Sequence, residues 1–259
     1  MTTGRPATSS ASDRLAAAAG HGLRAGLLAG LLAARRWRAA IAAAGLALLL
    51  AVAAIAVPAS AGGVPGRYDY LVLVLSWSPS YCEAEGDRAS PEQCAWYARN
   101  YAFVVHGLWP QFERGWPEDC IVPAPRLDEE TVDGMLDIMP SRKLVEHEWV
   151  RHGTCSGLDP TAYFELVRQA RDLIRVPSDL QEMYVPATVS PAVIERMFRE
   201  LNPGLKADEI AVTCDRRRLR EVRICMDRDL NFRACREVEK RACRSDWILM
   251  PPVRKPGWP

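Results

Sequence analysis

The sequence predicts an α+β fold, a mainly antiparallel central sheet flanked by helices and tied by four disulfides. Three observations predict it. Strand-like and helix-like segments follow one another without the regular alternation of a parallel βαβ chain. Apolar, β-branched segments occur both early and late, with helical patterns between them. All eight cysteines (Cys82, Cys94, Cys120, Cys155, Cys214, Cys225, Cys235 and Cys243) lie beyond residue 61, behind an export-like leader. An even set in that context implies an oxidising compartment and four bridges. Eight cysteines allow about 105 pairings, so spacing alone leaves the connectivity open. No CxxC pair is present, which argues against a structural zinc site.

Residues 1–61 read as a signal peptide. Arg35, Arg36 and Arg38 precede an apolar run from Ala39 to Val57, and Pro58-Ala-Ser-Ala61 puts small residues at signal-peptidase spacing. Cleavage after Ala61 is expected. The run approaches spanning length, so an uncleaved anchor is the alternative. Residues 62–259 carry no repeat, low-complexity block or linker and read as a single domain with a full core.

Tyr68–Leu75 is β-branched and aromatic and predicts a central strand. Ser90-Pro-Glu-Gln93 has the cap, proline and glutamine of a helix start. Tyr101–His106 predicts a second buried strand, with Phe103 and Val105 on one face and Val104 and His106 on the other. Asp128 caps a helix through Asp137, and Pro140-Ser141 opens another that stops at Gly153. Asp159-Pro160 and Ser190-Pro191 start helices through about Arg171 and Leu201. Ile210–Cys214 and Leu219–Met226 predict paired strands, with Asn231–Arg233 as a short third. Pro251–Pro259 reads as a loose extension.

The whole chain has a net charge of +1. Residues 1–61 hold six arginines and one acid, leaving 27 basic and 31 acidic residues, a net of −4, in the remainder. An overall field of that sign does not attract nucleic acid, so a polyanion needs a local positive cluster. Arg216, Arg217, Arg218 and Arg220 read as a solvated strand–turn face rather than that cluster.

Of the four histidines, His21 lies in the leader. The other three fall in Phe103-Val-Val-His-Gly-Leu-Trp-Pro-Gln111 and Glu146-His-Glu-Trp-Val-Arg-His-Gly-Thr-Cys-Ser156. On a helix at about 100° per residue, Arg151, Glu148 and His152 lie about 40°, 100° and 140° from His147. One sector thus presents two imidazoles, a carboxylate and a guanidinium, while Val145 points away. A zinc-protease helix needs histidines four apart; His147 and His152 are five apart, with a repelling arginine between them. The set suits acid–base chemistry at a phosphodiester better. Cleavage of RNA through its 2′-OH needs a base, an acid and a cation for the developing charge. Histidine suits both proton transfers and arginine the phosphoryl oxygens. No cofactor or metal is called for.

His106-Gly-Leu-Trp-Pro110 and His147-Glu-Trp-Val-Arg-His-Gly-Thr-Cys155 resemble the two active-site segments of the ribonuclease T2 family. Leu75-Ser-Trp-Ser-Pro-Ser-Tyr-Cys82 and Met139-Pro-Ser141 also fit. The resemblance implies a secreted, relatively non-specific ribonuclease. We expect it to cut single-stranded RNA as a monomer without an obligate protein partner, outside the cell or, given a leader rich in Ala and Arg, in a periplasm. It implies His152 as base, His106 as acid, His147 as phosphate ligand, and Glu148 and Arg151 as transition-state stabilisers. Trp109 would stack on a base, worth about 1–3 kcal/mol. Gln111 would bond a base edge, and Pro140 and Ser141 would line the downstream base position. The expected product is a 2′,3′-cyclic phosphate. Arg151 stands where the family commonly has Lys, Val150 where Asn is common, and Gln111 where some members have Asp. The resemblance further implies Cys82–Cys94, Cys120–Cys155, Cys214–Cys243 and Cys225–Cys235. The rival readings are a non-catalytic binding or toxin-like protein on the same fold and a metal-dependent hydrolase.

Overall fold

The computed structural model describes residues 63–255. The expected leader and residues 256–259 lie outside that range. The main sheet has four antiparallel strands in the order β2-β1-β5-β4, where β1 is Tyr70–Trp77, β2 Phe103–Gln111, β4 Ile210–Cys214 and β5 Leu219–Met226. Strand β1 is central, two residues later than expected. Its alternation serves two cores. Leu71, Leu73, Leu75 and Trp77 enter the larger one; Tyr70, Val72 and Val74 enter a smaller one with Ala211, Cys225, Cys235 and Val238. A strand buried on both faces reads as a continuous apolar run, and Tyr70–Leu75 does.

Helices cover the larger core. They are α1 (Ser78–Glu85), α2 (Glu129–Asp133), α3 (Arg142–Arg151), α4 (Pro160–Asp172) and α5 (Pro191–Leu201). Tyr163, Phe164, Val167 and Ala170 of α4, and Ile194 and Phe198 of α5, are the inward residues of two amphipathic helices. Asp159 caps α4 by accepting from the Ala162 N–H at 2.9 Å. Asp128 caps α2 through Thr131 N–H at 2.6 Å, but α2 ends at Asp133, before Gly134, and falls short of the expected Asp137. The helix begun at Ser90-Pro91 is a single turn, Pro91–Cys94, and Ser90 Oγ donates to Glu92 instead of capping.

Strand β2 departs most from expectation. It runs on through Gly107 and Pro110 to Gln111. Pro110 is tolerated because β2 is an edge strand. Val74 pairs with Gly107 but Leu75 with Val105, so β2 carries one extra residue at His106. This bulge shifts the alternation. Val105 and Leu108 both face the larger core, and Trp109 packs on the smaller one.

Strands β3 (Ala187–Val189) and β6 (Ile248–Met250) form a small second sheet that the sequence pattern did not suggest. Asn231–Arg233 contributes only an isolated bridge, Met226 to Phe232. The first residues of the C-terminal segment are not loose. The fully buried Trp77 indole donates to Pro251 O at 3.0 Å, and Val253 N–H donates to Met183 O at 2.8 Å. A buried N–H needs an acceptor, and this segment supplies it.

All eight cysteines are paired: Cys82–Cys94, Cys120–Cys155, Cys214–Cys243 and Cys225–Cys235. Cys120–Cys155 closes 35 residues and joins the loop after β2 to the turn after α3. On the chain-entropy account, the Cys120→Ser/Cys155→Ser protein should lose about 4 kcal/mol of unfolding free energy. Urea denaturation measures it, and a loss below about 1 kcal/mol would show that the bridge constrains nothing that packing does not already hold.

Candidate active site

Helix α3 brings the second motif to the sheet. Val145, Glu148 and Trp149 are buried on its inner side. Trp149 is a core residue whose indole donates to Pro125 O at 2.7 Å. Glu148, 1% exposed, reaches β2: its Oε2 accepts from Trp109 Nε1 at 2.7 Å, and its Oε1 lies 3.5 Å from His106 Nε2. Gly107 makes the approach possible. A Cβ there would sit 2.1 Å from Glu148 Oε2 and 2.5 Å from Trp109 Nε1.

His106 stands between two carboxylates. Its Nδ1 is 2.9 Å from Oε1 of Glu221 on β5. Glu221, 1% exposed, also accepts on Oε2 from Arg223 Nε at 3.0 Å and Nη2 at 2.7 Å, and from Thr213 Oγ1 at 3.4 Å. Burial alone would raise the Glu221 carboxyl, but the His106 hydrogen bond and the Arg223 charge pull it down to about 2. Burial alone would lower His106, but the Glu221 hydrogen bond and the Glu148 and Glu221 charges raise it above its ordinary value. Glu148 moves the other way. Burial lifts it to about 7 against the pull of His106 and the Trp109 hydrogen bond. Its Oε1 is buried without a hydrogen-bond partner among the described residues.

His152 lies past the end of α3, with φ −120° and ψ −44°, so the helical wheel does not govern it. The bend after Arg151 lays its ring against Trp109, centroids 4.9 Å apart and planes 26° apart. The His106 ring meets the same indole edge-on at 5.2 Å. Two imidazoles from distant segments therefore flank one tryptophan. His152 is 9% exposed, and its Nδ1 has no hydrogen-bond partner among the described residues. Burial, then the charges of His106, Arg151 and His147, push its ring down to about 3. His147 is exposed on α3 and is lowered by burial of part of its ring and by His106 and Arg151.

The other expected site residues have these surroundings. Arg151 does not project freely toward the histidines. It pairs with Glu118 at 2.6 Å and Asp119 at 2.9 Å, in the loop that Cys120–Cys155 anchors. Half-buried Trp109 already has two neighbours on its ring, His152 stacked on it and the Arg223 guanidinium 5.1 Å from its centre. Gln111 is buried, its amide donating to Pro110 O at 3.0 Å. Pro140 and Ser141 are buried at the foot of α3. Of the arginine run, Arg216, Arg217 and Arg220 are exposed, while Arg218 pairs with Glu83 and Asp215.

Sequence reasoning missed Glu221 and Arg223. The signal was a Glu–Arg pair two residues apart, and so on one face, in a strand whose other residues, apart from exposed Arg220, are apolar. A buried charge of that kind is retained only with a partner.

The model of the ribonuclease T2 family matches residues 68–235. A ribonuclease from Aeromonas hydrophila is 35% identical over 176 residues, 65% of this chain and 76% of that protein. Among solved structures, trichomaglin, described as an S-like ribonuclease, superposes with a TM-score of 0.59 at 18% identity, over 73% of this chain and all of its own. RNase NT in complex with 5′-AMP superposes with a TM-score of 0.50 at 23% identity, over 72% of this chain and all of its own. These two similarities show the fold.

Keeping His152 neutral has a cost in acid. The unfolded ring takes up a proton near 6.5, the buried ring only near 3. Between those values the unfolded state binds more protons, so stability falls as pH drops from about 6.5 to about 3. The stability of His152→Phe relative to the wild type should therefore rise as pH falls through that window. Denaturation series at pH 7 and pH 4 check it, and a constant difference would mean that the wild-type ring titrates normally.

Proposed function

The chain belongs to the ribonuclease T2 family and is an endoribonuclease of that type; we propose that it cleaves single-stranded RNA by metal-independent transesterification to a 2′,3′-cyclic phosphate, with low base specificity. The observation that carries the mechanism is the opposite displacement of two imidazoles around one indole. Such divergence marks the acid and the base.

His152, neutral and partnerless at Nδ1, takes the proton of the 2′-OH. In the free site its basicity is low. A phosphodiester anion beside it favours the imidazolium and raises its proton affinity as substrate binds. The 2′-oxygen then attacks phosphorus. His106, charged between Glu148 and Glu221, gives its proton to the departing 5′-oxygen. Opening of the cyclic phosphate by water reverses the two roles and yields a 3′-phosphate. Glu148, near half-protonated at neutral pH, presents an unpaired oxygen able to donate to a phosphoryl oxygen. His147, exposed on α3, is the donor to the substrate phosphate, whose negative charge favours the protonated ring once it binds. Arg151 acts at longer range, adding positive potential while it secures the loop.

Two groups with partners of their own support the low base specificity: His152 stacks on the Trp109 ring, and the Gln111 amide donates to the backbone. Four disulfides fit an oxidising compartment, periplasmic or extracellular. We read residues 1–61 as the signal that delivers the chain there, with an uncleaved anchor as the other form, and residues 62–259 as one catalytic domain working as a monomer.

Dinucleotide cleavage with product analysis tests the reading. A 2′,3′-cyclic phosphate should appear first and activity should persist in EDTA. His106→Ala and His152→Ala should each lower kcat by roughly 10²–10⁴-fold. DNA, lacking the attacking hydroxyl, should stay intact. Cleavage of DNA, or a wild-type rate in either variant, would overturn the assignment.

A further inference from the structure

We propose that Glu221, clamped by Arg223, is a positioning residue that fixes the His106 ring by holding its Nδ1 proton and leaving Nε2, the nitrogen beside Glu148, as the donor to the leaving oxygen. The proposal rests on the reading of His106 as the acid.

The geometry is specific. His106 is on edge strand β2 and Glu221 on inner strand β5, with β1 between them. Two strand spacings, about 10 Å, separate the backbones. Two long side chains must meet above β1, and the β1 residue opposite Glu221 is Ser76. Its small side chain leaves the path open; a larger one would stand between the carboxylate and the ring. The contact is 2.9 Å, within ordinary hydrogen-bonding range.

The carboxylate has little freedom to reorient. It is 1% exposed, and Oε2 is occupied by both Nε and Nη2 of Arg223. Only Oε1 is left for His106. Strand β5 pairs on both sides, with β1 and β4, so the carboxylate is mounted on the rigid middle of the sheet. A hydrogen bond from Nδ1–H to a fixed acceptor selects the tautomer and the ring angle, as an orienting carboxylate does for a general base.

Other charges face the same ring. From α3 and the residue beyond it come Glu148, His147 and His152. From β5 comes Arg220, which opposes protonation. Glu148 lies 3.5 Å from Nε2, longer than the Glu221 contact, and is itself partly protonated near neutral pH. Glu221 is thus the carboxylate that stays ionised beside His106 across the neutral range.

Glu221→Gln preserves the shape and removes the charge. An acid must hold its proton, so kcat falls as pH rises through the His106 pKa. Without the Glu221 charge that descent should begin at least one pH unit lower, with a tenfold or greater fall in kcat at neutral pH and little change in KM. The His106 resonance in a proton NMR titration should move by the same amount. Glu221→Asp, shorter but charged, should recover part of the shift and serves if the glutamine variant does not fold. An unmoved His106 titration and pH limb in a folded variant would make Glu221 a structural residue only. A wild-type rate in His106→Ala would instead remove the acid assignment on which this rests.

Discussion

The extra residue in β2 opposite Val74 and Leu75 determines which side chains can meet. Without it, residues 106 and 109 would fall on opposite faces of the sheet, because strand side chains alternate. With it, the alternation restarts at Gly107. His106 and Trp109 then share the face that carries Glu221 and Arg223, while Val105 and Leu108 both remain in the larger core. Tyr163 fixes the displaced segment by donating to Leu108 O at 2.9 Å from within α4. Gly107 completes the arrangement, since any side chain there would strike the Glu148 carboxylate. One insertion and one absent Cβ bring groups from β2, β5 and α3 around a single indole.

The electrostatic pattern follows from that convergence. Four ionisable groups share a space mostly closed to water. Isolated, each would lose its charge on burial. Here each charge state depends on its neighbours. Glu221 keeps its charge because Arg223 and His106 both donate to it. The carboxylates on either side of His106 favour its charged form. Glu148 meets the same imidazolium at greater distance and is left near its midpoint. His152 has positive neighbours and an unpartnered Nδ1, and stays neutral. A buried ion network of this kind costs free energy to assemble. The cores beneath it and the four covalent bridges offset that cost.

Much of this was legible in the chain. β1, β4 and β5 follow from apolar and β-branched runs, and α4 and α5 from a cap, a proline and an amphipathic repeat. His106, His147, Glu148, Arg151 and His152 were visible because two motifs concentrate nearly all the histidine. The rest was hidden for physical reasons. Gly107 and Pro110 look like strand breakers, so β2 was cut short. A bulge leaves no mark in composition, so the faces beyond His106 could not be assigned. The ion pairs of Arg151 with Glu118 and Asp119 depend on where a loop folds back. Glu221 and Arg223 stood in a strand that was recognised, but what they face is set by strand order. The anchoring of Pro251 depends on a tryptophan 174 residues earlier.

That last contact, with the separation between His106 and Glu221, bears on how the molecule assembles. β1 is the sheet's second strand in space, yet its partner on one side, β5, follows some 150 residues later, and the acceptor for its tryptophan comes later still. Contact order is therefore high, and folding must close long loops before native contacts reward them. Neither the first half of the domain nor the second contains both the imidazole at 106 and the carboxylate at 221. The two side chains therefore meet only after the late strand β5 has paired with β1.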